Sequence, residues 1–265
     1  MRVSILASGS TGNCTLVSEG ETHLLIDAGI SAKRITEGLR RCGVEPQALT
    51  AVLVTHEHTD HISGLAVLLR RCAAPVYAIR PVAEALCRGV PGASVRVCAA
   101  EPDCAMLIGD TAVTPFCVSH DAAGCCGYRI NGASGSFGYC TDLGVVTEDV
   151  QAALAGVDCA IIESNHDLTM LRTGPYPAFL KKRIRSERGH LSNEDAAALA
   201  VQLAESGTGT LILAHLSRHN NTPAEAMRTV QTALDAAFAE PERPTLLYAP
   251  EMGGVTVEIG ACVTC

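Results

Sequence analysis

Along the first part of the chain apolar and polar positions alternate in short bursts broken by turn-forming residues, the period-two signature of strands with one buried face. Val3–Ala7, Asn13–Ser18 and His23–Ile26 form such a series, separated by Ser8-Gly9-Ser10-Thr11-Gly12 and Glu19-Gly20-Glu21. Asp27-Ala28-Gly29 ends the meander. The period then lengthens: Ser31 is placed to cap a helix running to about Cys42. Ile62, Leu65, Ala66, Leu68 and Leu69 form a helical apolar stripe, predicting a second helix from Asp60 to about Cys72. Between the two lies the apolar strand pattern Ala51-Val52-Leu53-Val54-Thr55.

Further on, Pro75–Ile79 reads as a strand, Val82–Arg88 as a helix, and Val95 to Cys140 as strands broken by Gly-Asp, Gly-Cys and Asn-Gly. Val157–Glu163 and Thr210–Ala214 are apolar strands, each followed at once by polar residues capable of chemistry. Helices over Asn193–Glu205 and Pro223–Ala239 complete the pattern. Meandering strands with helices in both halves predict an α/β (α+β) chain, two sheets face to face with helices outside them. With 265 residues, 48% of them hydrophobic, and no linker or low-complexity stretch, residues 1–265 are expected to form one domain.

Composition narrows the setting. Met1-Arg2 leads straight into a strand pattern, and no apolar run approaches the roughly 20 residues that span a bilayer, so a cytoplasmic protein without a membrane partner is expected. Thirteen cysteines are scattered, with Cys125-Cys126 adjacent, and are expected to be reduced; Cys262 and Cys265 are the candidates for reactivity. A net charge of −8 opposes non-specific polyanion binding, but Lys181-Lys182-Arg183-Ile184-Arg185-Ser186-Glu187-Arg188 concentrates five cations just before Gly189-His190. Such a run is also what a solvated helix face looks like. With 3% aromatic residues and no Trp, stacking platforms for single-stranded bases are sparse, which favours recognition of a duplex backbone. Tyr128, Tyr139, Tyr176 and Phe179 are the remaining aromatic candidates.

The chemistry concentrates in His56-Glu57-His58-Thr59-Asp60-His61, directly after a strand pattern. A lone histidine at a strand end is ordinarily a satisfied polar group; several imidazoles and a carboxylate together would compete for too few partners without a cation. Alternation aims His56 and His58 alike, while Asp60 and His61 open the next helix and aim elsewhere, so two ions fit better than one, roughly 3.5–4 Å apart. Imidazole and carboxylate suit zinc, manganese or iron. A search for ligands directly after other strand patterns finds His120 after Ala112–Ser119, Asp142 after Phe137–Thr141, and His215 after Leu211–Ala214.

Taken together these spacings resemble the metallo-β-lactamase fold superfamily, whose hallmark is HxHxDH followed by a distant His, an Asp and a final His. Ser8–Asn13, Thr55–His61, Ser119–Ala122, Thr141–Gly144, Glu163–Asp167, Gly189–Asn193 and His215–Asn221, in that order, resemble more specifically the YycJ/WalJ group. The resemblance implies a four-layer αββα sandwich with its site along one edge of both sheets. It implies two divalent ions, Zn²⁺ or Mn²⁺ with iron an option: one on His56, His58 and His120, the other on Asp60, His61 and His215, bridged by Asp142. The implied activity is cleavage of DNA phosphodiesters, 5′ to 3′ and exonucleolytic, by a water deprotonated between the ions. The tail also resembles transfer-RNA 3′-processing enzymes, so RNA is the next substrate to consider. A histidine at position 58 is the hydrolase-like choice, since the oxygen-reducing di-iron branch carries an acidic residue there.

Asp60, His190 and Glu163 are the candidate catalytic residues: His190 to protonate the leaving oxygen, Glu163 to orient His190. Lys181, Lys182, Arg183, Ser217 and Asn220 are candidate substrate contacts, His166 and His219 loop or substrate contacts, and His23 structural. Asp121 either supports His120 or accepts backbone hydrogen bonds in a turn. The competing readings are a small-molecule metallo-hydrolase acting on a thioester, lactone or β-lactam, an iron redox enzyme, and a metal-free binding module. The last is disfavoured because every expected ligand position is filled. The oligomeric state is left open.

Overall fold

A computed structural model of the chain describes residues 1–260, so Cys262 and Cys265 lie outside the described residues. The first sheet is built from β1 (Arg2–Ala7), β2 (Cys14–Glu19), β3 (Thr22–Ile26), β4 (Ala51–Leu53), β5 (Val76–Ile79) and β6 (Val97–Ala100). The second contains β7 (Met106–Ile108), β8 (Thr111–Cys117), β9 (Cys126–Gly132), β10 (Gly135–Cys140), β11 (Cys159–Glu163), β12 (Thr210–Ala214) and β13 (Thr245–Tyr248). A further strand, β14 (Val255–Glu258), returns to the first sheet beside β1, giving seven strands in each sheet among the described residues. Both sheets join an antiparallel meander to a parallel run: β3 to β6 in one, β10 to β13 in the other.

Alternation along the parallel strands shows how the layers form. On β11, Cys159 and Ile161 enter the core between the sheets, while Ala160 and Ile162 enter the core beneath the helices. Ile212 and Ala214 of β12 divide from Leu211 and Leu213 in the same way. Both faces of these strands are therefore buried, which explains their unbroken apolar sequences. Helices Ala32–Arg41 and Arg80–Gly89 cover the first sheet; Glu148–Leu154, Asn193–Glu205 and Pro223–Ala237 cover the second. The result is the αββα sandwich expected. Among the described residues no helix is long and apolar enough to cross a membrane.

The expected Asp60–Cys72 helix is instead two short ones, Thr59–Ile62 and Leu65–Leu68. The carbonyls that would continue the first are diverted: Asp60 accepts the Asn13 N–H at 2.8 Å and His61 the Ala28 N–H at 2.8 Å. Gly64 turns its own N–H to the Ala28 carbonyl, also at 2.8 Å. The break staples the His-rich segment to the loops after β1 and β3. Gly29 sits at the closest point of this contact, where an added Cβ would lie 1.6 Å from the Asp60 carbonyl oxygen. Three short helices, Glu148–Leu154, Leu168–Thr173 and Ala178–Ile184, and the strands β13 and β14 add to the elements expected.

Candidate metal centre

Every parallel run ends in a loop, and the loops after β3, β4, β10, β11 and β12 meet along one edge of the two sheets. There the chain turns sharply. Asp27, Asp142 and His215, each just past a strand, have φ of 60°, 59° and 55°, left-handed values that cost a non-glycine residue on the order of 1 kcal/mol or more. Surrounding hydrogen bonds over-determine that geometry.

His56, His58 and His120 each present one ring nitrogen to a common point, and Asp60, His61 and His215 present ligand atoms to a second; the atoms of each group lie within 4.8 Å of one another. Asp142 reaches both groups. Its Oδ2 is 3.3 Å from His61 Nε2, its Oδ1 is 4.0 Å from His120 Nε2, and His56 joins it and His61 in a third possible cage. His56 Nε2 lies 3.1 Å from His58 Nδ1, and Asp60 Oδ2 lies 3.6 Å from both His61 Nε2 and His215 Nε2. His215 Nε2 and Asp142 Oδ2 are buried without a hydrogen-bond partner. Orphaned donors and acceptors of this kind are costly, and a cation between them would satisfy both.

The nitrogens of His56, His61, His120 and His215 that point away from the centre are engaged. His56 Nδ1 donates to Thr55 Oγ at 3.1 Å and His120 Nδ1 to the Gly189 carbonyl at 3.0 Å. His61 Nδ1 donates to Asp27 Oδ2 at 2.7 Å; Asp27 also accepts the Thr55 backbone N–H at 2.9 Å and the Thr55 hydroxyl. Glu163, fully buried, accepts from His215 Nδ1 at 2.7 Å and His190 Nδ1 at 2.9 Å on one oxygen, and from the Leu143 and Leu191 N–H groups on the other. Such partners fix the ring and the tautomer, leaving Nε2 of His56, His61, His120 and His215 for the centre. The donor set fits two divalent ions of the zinc or manganese type.

Electrostatics divide the two groups. Burial, and then the neighbouring His61, holds His56 well below the usual imidazole range, and burial with His190 nearby lowers His120, so both keep a free lone pair. Burial also opposes charge on His61, yet Asp27 and Asp142 outweigh it and push the imidazole up to about 10. His215 is raised likewise, with burial overcome by Asp142, Asp60 and Glu163. Burial works against the Glu163 carboxylate, but His190 and His215 hold it down at about 2. His190 is raised because Glu163 and then Asp142 outweigh its burial.

The other expected residues divide by position. A cavity of about 150 Å³ beside the centre is lined by His190, Asp121, Arg183, Ser217, Tyr176 and Asn165, among others. Arg183 is bonded to Asp121, whose other oxygen is 3.4 Å from His120 Nε2. Lys181, half-buried, and Lys182, exposed, lie outside the cavity lining, and Lys181 Nζ donates to the Arg172 carbonyl. Asn220 is not brought to the cavity: it is fully buried and donates to Ser217 Oγ at 3.3 Å. His166 is buried with Nδ1 unpartnered, and His219 packs edge-on against Tyr176. His23 bonds Ser18 Oγ within the first sheet, and Tyr128 and Tyr139 are core residues. Sequence reasoning missed Asp27 as the partner of His61, Glu163 as the partner of His215, and Arg188. The last donates two hydrogen bonds, at 3.1 and 2.9 Å, to the His120 carbonyl. The signals were an acid closing a strand and a cation at the end of the basic run.

Fold and site together define a protein of the metallo-β-lactamase class, and the chain belongs to the beta-lactamase superfamily: the model of the family described as a beta-lactamase superfamily domain matches residues 22–216. Within that class it groups with the YycJ and WalJ proteins. It is 37% identical over 238 residues to the exodeoxyribonuclease YycJ of Bacillus anthracis, covering 89% of each chain. It is 37% identical over 241 residues to the exodeoxyribonuclease WalJ of Streptococcus pneumoniae, again over 89% of both. The crystal structure of the metallo-beta-lactamase fold protein YhfI from Bacillus subtilis has the same fold, with a TM-score of 0.74 at 19% identity over 97% of this chain and 98% of that one.

Proposed function

We propose that the chain is a metal-dependent DNA exonuclease acting 5′ to 3′, with two divalent cations, Zn²⁺ or Mn²⁺. The observation that carries this reading is the convergence of two ligand groups on Asp142, with His190 in the same cavity. The exodeoxyribonuclease names of the two relatives give the substrate class. His56, His58 and His120 would hold one ion, Asp60, His61 and His215 the other, and Asp142 both. When bound, the ions supply an activated water and neutralise charge building on the phosphate oxygens.

The chain's own residues do the rest. Glu163 fixes His190 through Nδ1 and favours its protonated form, so the opposite nitrogen is set to give a proton to the departing 3′ oxygen. Arg183, the member of the basic run that reaches the cavity, would meet a phosphate of the scissile strand. Asp121 holds that guanidinium in place beforehand.

The test is incubation of the Mn²⁺- or Zn²⁺-replete protein with 5′- and 3′-labelled DNA, with RNA, and with a thioester, a lactone and a β-lactam. Shortening of DNA from its 5′ end is expected. If every DNA end stays intact while a small ester or lactam is turned over, the substrate assignment is wrong.

A further inference from the structure

Of the four phenylalanines, Phe116 and Phe137 are buried and Phe238 is half-buried, while Phe179 is 75% exposed. Its place is informative. It lies on the helix Ala178–Ile184, whose Leu180, Arg183 and Ile184 line the cavity beside His190. Residues three and four apart share a helix face, so Phe179 lies one turn before Arg183 on the helix, with Lys182 beside it. Arg183 is tied to Asp121, next to the His120 ring. The ring is therefore an exposed apolar plate on a helix that lines the cavity, at the start of the densest cationic segment of a chain whose net charge is −8.

Cations and an exposed ring on one short helix match a nucleic-acid strand, whose phosphates take the charges and whose bases take the ring. Removing a nucleotide from a duplex end also requires parting the end base from its complement, and apolar side chains inserted at base steps perform such unstacking. We propose that Phe179 stacks on the terminal base of a DNA end and sets the strand's register over the centre. This inference rests on the nuclease reading and assigns the end-recognising element of that site. The partner is a free DNA end, and the ring selects ends over continuous duplex.

The sequence contains no tryptophan, so Phe179→Trp places a single reporter at the rim. Metal-replete Phe179→Trp protein is titrated with a linear phosphorothioate duplex, which resists cleavage, and with a covalently closed circle at equal nucleotide concentration. Quenching by the linear duplex and little by the circle is expected. In parallel, Phe179→Ala should raise KM for linear duplex about tenfold, the lower part of the range for losing one base–aromatic stack. Val95→Ala, a change at an 84% exposed apolar residue outside the cavity lining, serves as the control and should keep the wild-type KM. Equal quenching by circle and linear duplex, no quenching by either, or a wild-type KM in Phe179→Ala overturns the assignment. Failure of the wild-type protein to cut any DNA would instead remove the nuclease reading, and the fluorescence titration would still report whether Phe179 meets an end.

Discussion

The two groups of ligands beside Asp142 are built differently. In the group of His56, His58 and His120, a hydroxyl steadies His56 and a backbone carbonyl steadies His120, and burial lowers the pKa of both. In the group of Asp60, His61 and His215, both imidazoles lean on buried carboxylates, Asp27 and Glu163, and both are pushed toward the protonated form. The carboxylates differ in turn. Asp27 serves one ring and burial leaves its acid raised, whereas Glu163 serves two rings and is driven down to about 2. The difference teaches that one group is ready for a cation as folded, while the other must shed protons to take one. A carboxylate behind a ligating imidazole also makes it a stronger donor once metallated.

The most severe break is at the shared residue. Asp142→Ala removes the carboxylate that reaches both groups, and kcat/KM on DNA should fall by more than the 10–100-fold typical of losing a partner behind a ligand. Glu163→Gln comes next, because it loosens His215 and His190 together; about a 100-fold loss in kcat/KM is expected, with weakened cation affinity by calorimetry. Asp27→Asn disturbs His61 alone and should cost about tenfold in the same assays. Equal losses for Glu163→Gln and Asp27→Asn would erase the asymmetry between the two supports.

The smallest effect is in protons. Asp27 and Asp142 favour the protonated form of His61 in the metal-free chain, and a cation must displace that proton. Uptake at neutral pH should therefore release protons, and apparent affinity should rise with pH until His61 is already neutral. Calorimetry in buffers of different ionisation enthalpy reads this release. It should persist in His120→Ala, which spares the protonated group, and shrink in His215→Ala.

How much of this was legible in the chain followed from locality. His56 to His61 are consecutive, so their chemistry stands out before any fold is known. His120, Asp142 and His215 were visible because each follows an apolar strand, and strands that run in one direction deliver such residues to one edge, whether paired in parallel like β10 and β12 or set between antiparallel neighbours like β8. The supports were harder to see. Asp27 meets Thr55 and His61 only because β3 and β4 pair in parallel, and Glu163 gathers two rings from loops far apart in sequence. The short helix Ala178–Ile184 hid within its charge run, and β14 pairs with β1 across nearly the whole chain. Its half-exposed alternation at a sheet edge carries little apolar signal.

The most direct test of the central claim is the metal content of the purified chain after equilibration with Mn²⁺ or Zn²⁺ and removal of free ions. Two equivalents per chain are expected, falling to one in His120→Ala with the remaining ion held by Asp60, His61 and His215. One equivalent or none in the unaltered protein, or two retained in His120→Ala, would contradict it.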